Sequence, residues 1–133
     1  MDRIKIVVDA MGGDEAPLND VSGAVIAAES KPDTLDIILV GKEKLIKDEL
    51  SKHKVSLKNI SIVNADEVIT MEDSPTDSLK SKPGSSINVG INLVKEKKAD
   101  AFVSAGNTGA VMSASILRLG RIEGVGRPTI GSL

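Results

Sequence analysis

The sequence predicts an α/β domain of three layers, with helices on both faces of a largely parallel sheet. Three observations carry this prediction. Short runs rich in Val and Ile alternate with longer stretches whose apolar residues recur at helical spacing. The strand runs are apolar almost throughout, as in buried parallel strands, and do not alternate as half-exposed strands do. Each strand run also closes in Gly, Asn, Asp or Ser before the next helical pattern begins.

The elements follow in order. Residues 4–8 (IKIVV) give the first strand, and Asp9-Ala10-Met11-Gly12-Gly13-Asp14 turns out of it. Pro17 opens a helix over 17–30 that places Leu18, Val21, Val25 and Ala28 on one face. Residues 35–40 form a second strand, and a charged helix over 42–54 carries a narrow stripe of Leu45, Ile46 and Leu50. His53, the only histidine, fits a solvated place near that helix's end, since no second histidine or base accompanies it. Ile60-Ser61-Ile62-Val63 is the third strand. Residues 70–84, punctuated by Pro75 and Pro83, read as the longest loop, a kind of segment that often carries function. Ser85 and Ser86 cap a helix to about residue 98, with Ile87, Ile91 and Val94 inward. Ala101-Phe102-Val103 ends a fourth strand, a helix runs from Ala110 through Leu119, and residues 128–131 begin another strand. A sheet that breaks off within a starting strand implies that residues 1–133 are a fragment of a longer domain. Its open edge and face predict self-association or partial order of this portion alone.

Composition narrows the function. The 133 residues, 41% hydrophobic and 27% charged, suffice for one domain with its own core. A formal charge of −2 without a Lys/Arg cluster argues against nucleic acid, and a single aromatic, Phe102, offers no stacking platform for bases. With no cysteine, these residues carry no disulfide, no thiolate zinc site and no acyl-cysteine intermediate. No signal-peptide pattern and no apolar run near the ~20 residues of a membrane span are present, so a cytoplasmic location is expected.

The stretch 99–114 (ADAFVSAGNTGAVMSA) organises the chain. A strand, a glycine turn and a helix start combine free amides with a favourable dipole for an anion. Gly106 and Gly109 let backbone approach a ligand, while Asn107 and Thr108 bring an amide and a hydroxyl that bond phosphate or cap the helix. A well-capped turn without a ligand has the same pattern. The stretch is neither G-x-x-x-x-G-K-[ST] nor G-x-G-x-x-G, which disfavours a dinucleotide-dependent dehydrogenase. A second candidate anion site is Lys80, Lys82, Ser85 and Ser86 ahead of the next helix, with a solvated basic loop as the alternative.

Taken together, IVVDAMGGDEAP (6–17), DSPTDSLKSKPGSSINVGINLVKEKKADAFVSAGNTGAVM (73–112) and GRIEGVGRPTI (120–130) resemble the PlsX-type phosphate acyltransferases of bacterial phospholipid synthesis. The resemblance covers essentially the whole chain in order, with Glu15 where many relatives carry histidine and Lys80 where arginine is usual, and it implies that residues 1–133 are the N-terminal part of a single longer acyltransferase domain. It implies a fold similar to the isocitrate/isopropylmalate dehydrogenase group. It also implies acyl transfer from acyl carrier protein thioester to inorganic phosphate by a homodimer, loosely associated with the membrane surface, with no metal or other cofactor. In that reading Asp9, Asn107 and Thr108 are the catalytic candidates. Gly12, Gly13, Asp14, Ser104, Gly106, Gly109, Lys82, Ser85 and Ser86 are the candidates for holding phosphate or the developing oxyanion. Ser104 as an acyl-serine nucleophile is the weaker idea, lacking G-x-S-x-G and a histidine partner. The rivals are a phosphate acetyl- or butyryltransferase using a coenzyme A thioester, and a non-catalytic phosphate-binding module.

Overall fold

The computed structural model describes residues 2–53 and 58–131. Its strands are β1 (Ile4–Asp9), β2 (Leu35–Gly41), β3 (Ile60–Asn64) and β4 (Ala101–Val103), all parallel in the order β3-β2-β1-β4. The helices are α1 (Leu18–Ser30), α2 (Glu43–Ser51), α3 (Pro75–Ser81), α4 (Ser86–Lys95) and α5 (Thr108–Arg118). In β1, Val7 stands opposite Ile38 of β2 on one side and Phe102 of β4 on the other.

Side chains alternate across the pleat, and the two faces fill two separate cores. Ile37 and Leu39 pack under Val21, Ala24, Val25 and Ala28 of α1 and Ile46 of α2. On the opposite face Val7 and Val40 meet Val89, Leu93 and Val94 of α4, with Phe102 beside them. A third cluster, including Leu79, Ile87, Ile91 and Ala110, joins α3, α4 and α5. The three layers expected from the sequence are therefore the architecture found.

Several details differ from the sequence reading. The expected loop 70–84 contains α3, because Pro75 occupies the first helical position and Leu79 is buried against α5's cluster. Residues 128–131 form no strand: they are exposed and have no ladder partner. Leu18 (45% exposed) and Leu45 (44%) fall outside their helices' buried stripes, which run instead through Val21, Ala24, Val25 and Ala28 and through Ile46 and Glu49. The helix expected over 42–54 is Glu43–Ser51, and Lys54 lies outside the described residues. His53 is half-buried, its Nε2 3.5 Å from the Ser22 hydroxyl of α1. The helix expected to reach residue 98 ends at Lys95. No described helix is long and apolar enough to cross a membrane.

Helix α4 lies tightly on the sheet at Gly90, where an added Cβ would stand 2.7 Å from Cδ2 of Phe102 and 3.3 Å from Cγ1 of Val40. Two effects oppose each other there. Helix propensity favours Gly90→Ala by about 1 kcal/mol, whereas overpacking costs about 1–3 kcal/mol. The overlap is with a ring held between strand and helix, so Gly90→Ala should lower stability in urea, with an unchanged slope. A gain in the midpoint would mean that the ring yields freely.

Candidate functional site

Strand order places a switch point between β1 and β4. From β1 the chain passes to α1 on one face, and from β4 it passes to α5 on the other, leaving a crevice at the strands' carboxyl ends. Ligands of open α/β sheets collect in such crevices.

The residues lining this one are bonded across it. Asp9 ends β1 and is 1% exposed. One carboxylate oxygen accepts from the Met11 amide at 3.0 Å, and the other accepts from the Ser104 hydroxyl at 2.7 Å. The Ser104 oxygen in turn accepts from the Gly106 amide at 3.0 Å. Gly12 lies directly against this chain of bonds. A Cβ on it would meet Gly106 N at 2.8 Å, Asp9 Oδ2 at 2.9 Å and Ser104 Oγ at 3.0 Å. This close backbone approach is what the glycine permits.

Asn107 caps α5. Its Oδ1 accepts from the Ala110 amide at 3.0 Å, and its Nδ2 donates to the carbonyls of Thr70 (3.0 Å) and Asp73 (3.2 Å). The side-chain amide is thus committed to protein partners on both ends. The backbone amides of Thr108 and Gly109, beyond the reach of any intrahelical carbonyl, carry no hydrogen bond among the described residues. Gly109 packs against the ring of Pro75, where a Cβ would stand 2.8 Å from Cγ.

The second candidate group is built differently. Lys82 Nζ pairs with Asp73 Oδ2 at 2.6 Å and donates to the Val68 carbonyl at 2.9 Å. Ser85 is buried and caps α4, its hydroxyl oxygen accepting from the Asn88 amide at 3.3 Å. Ser86 is buried beside it, and Lys80 is exposed on α3. The structure therefore joins Asp9, Gly12, Ser104 and Gly106 in one contact and links Asn107 to the Asp73–Lys82 pair. Asp14 is exposed beyond the turn, and Gly13 faces the other way, toward α1.

Two residues of the site escaped the sequence reading. Asp73 is one, and its neighbours Lys82 and the Thr70 amide hold its carboxyl below the ordinary value of 3.8. Asp20, in the first turn of α1, is the other, accepting from the Gly13 amide at 3.2 Å. Burial raises its carboxyl above 3.8; the Gly13 bond opposes this and the charge of Asp9 adds to it. The one available signal for Asp20 was an acid in a first helical turn. Asp20 and Asp9 also border an apolar cavity of about 340 Å³ under α1, walled by Ile6, Val8, Val103 and Ala105. Among the described residues no three carboxylates or histidines converge to hold a metal ion.

Solved structures share this architecture. A phosphotransacetylase from Streptococcus pyogenes matches with a TM-score of 0.66 at 21% identity, over 94% of this chain and 40% of that one. The EutD phosphotransacetylase from Staphylococcus aureus matches at 0.61 and 20%, over the same shares. The chain thus has the α/β fold found in phosphotransacetylases. The profile of the family described as "Fatty acid synthesis protein" matches residues 4–133, and the chain belongs to that family. Its relatives include the phosphate acyltransferases of Fusobacterium nucleatum (53% identical over 98% of this chain) and Synechocystis (50% over 98%). The chain spans 39% and 37% of their respective lengths.

The raised Asp20 carboxyl has a definite sign. Its folded value exceeds the unfolded one, so its contribution to stability falls as pH rises from about 3.8 through the folded value. Asp20→Asn keeps an acceptor for Gly13 and removes that decline. Urea midpoints across acid to neutral pH should show the variant gaining on the parent as pH rises. A constant difference at every pH would contradict the burial.

Proposed function

We propose that the protein is a phosphate acyltransferase, moving a fatty acyl group from acyl carrier protein thioester to inorganic phosphate. The observation that supports this most is the contact of Gly12 with Gly106 beside the open amides of Thr108 and Gly109. It lies in a chain about half identical to phosphate acyltransferases.

The chemistry asks little of side-chain acids. Phosphate is already partly dianionic at neutral pH, so it needs placement more than deprotonation. Its oxygen bonds to the thioester carbonyl carbon, the carbonyl oxygen gains charge, and the carbon–sulfur bond then breaks. The thiolate leaves with the electron pair and takes up the phosphate's proton. In this reading the first amides of α5, with Thr108 and Gly109, face phosphate or the oxyanion. Asp9 and Ser104 hold the two turns, and Asn107 aims the helix. Gly12 keeps the lip of the crevice clear, with Gly13 bonded to Asp20 behind it and Asp14 beyond it. Lys82, Ser85 and Ser86 support the site from α4's side. A homodimer in the cytoplasm, loosely held at the membrane surface, is the setting this reading expects. The phosphotransacetylase-type fold keeps a coenzyme A thioester as the second reading.

Acyl phosphate trapped as its hydroxamate, from carrier thioester and phosphate, tests the reading on the full-length protein. Gly12→Ala drives a methyl against Gly106 and shifts the turn that leads to the Thr108 and Gly109 amides, and should reduce the product about a hundredfold, the scale of misaligning one oxyanion donor. No product from the parent protein, with phosphate still bound, would leave a binding module. Product from a coenzyme A thioester alone would favour the second reading.

A further inference from the structure

Beyond β3 the chain makes an excursion from Glu67 through α3 to Ser86 at the head of α4, and this excursion is closed at three levels. At its base Glu67 Oε2 accepts from the Gly84 amide at 2.6 Å, the Glu67 amide donates to the Gly84 carbonyl, and the Ser86 amide donates to the Glu67 carbonyl. Midway, Asp73 Oδ2 accepts from the Lys82 ammonium (2.6 Å), the Thr70 amide (2.7 Å) and the Thr70 hydroxyl (3.1 Å). Farthest out, the Thr70 and Asp73 carbonyls both receive Asn107 Nδ2.

The middle level governs the outer one. Three donors on one carboxylate oxygen, together with the Asp73 amide on the Thr70 carbonyl at 3.3 Å, hold the Thr70–Asp73 turn, and that turn aims both carbonyls at a single amide group. A planar amide with its nitrogen held there has its oxygen held as well, on the Ala110 amide. We propose that Asp73 is a positioning residue for the anion site: through Thr70, Lys82 and the Asn107 amide it sets the orientation of α5's first turn. This rests on the acyltransferase reading for its substrate, phosphate. The low carboxyl value of Asp73 fits a group that stays a charged acceptor at working pH.

The test uses the full-length protein with Asp73→Ala and Asp73→Asn, reading both KM values, kcat, and the calorimetric Kd for inorganic phosphate. Asp73→Ala should raise the phosphate KM and Kd about tenfold, the factor that 1.4 kcal/mol sets, and move the carrier-thioester KM less than about twofold. Asp73→Asn keeps an acceptor for Thr70 without the ion pair and should fall between. It also replaces Asp73→Ala should that variant fail to fold. A lower melting temperature with unchanged phosphate KM and Kd, or equal shifts in both KM values, would overturn the proposal. A parent protein that makes no acyl phosphate, while Asp73→Ala still weakens phosphate binding, would overturn the acyltransferase reading and leave the positioning role standing.

Discussion

A buried carboxylate that meets no cation among the described residues is the constraint on which the crevice depends. Asp9 closes β1 almost out of reach of water, and burial of such a group is tolerable only when donors meet its oxygens. Its donors come from two places: the Met11 amide in its own turn and the Ser104 hydroxyl in the turn after β4. Neither turn can leave without stranding the carboxylate. The result is a rigid floor where the sheet changes direction, made by one side chain and completed by the Gly106 amide on the same hydroxyl.

The rest of the site is arranged around that floor. Glycines at 12 and 106 let the two turns touch, and α5 starts where the floor ends. Support for α5 also arrives from far along the chain, through Thr70, Asp73 and Lys82. The first turn of the helix is therefore clamped between two independent devices, one on each side of its cap. Lys82, one of the two lysines that the sequence offers to an anion, has its charge taken up inside the second device.

Periodicity made the layers legible. The strand runs at 4–8, 35–40 and 60–63 carry Val and Ile on both faces because both faces are covered, and that signal is local. Pro75 misled because proline marks both a loop and a helix's first position, and only the burial of Leu79 separates the two. Asp20 and Asp73 were invisible for a different reason. Their meaning lies in Gly13, seven residues back, in Lys82, nine residues on, and in Asn107, thirty-four residues on from the Asp73 carbonyl. Separations set by tertiary packing leave no pattern in a window. The glycine turn at 104–109 was readable as an anion-binding shape, whereas the commitment of the Asn107 amide to protein carbonyls became visible only with its partners in place.

The meeting of Gly12 and Gly106 has an evolutionary corollary. Where two side chains collide, a larger residue on one side is repaired by a smaller residue on the other. Here a Cβ on Gly12 meets the backbone nitrogen of Gly106, and a Cβ on Gly106 meets the Cα of Gly12 at 3.2 Å. Nothing remains to be trimmed on either partner. Second-site suppressors of a change at one glycine cannot arise at the other, so the two loops form a pair that drift can only keep or lose together.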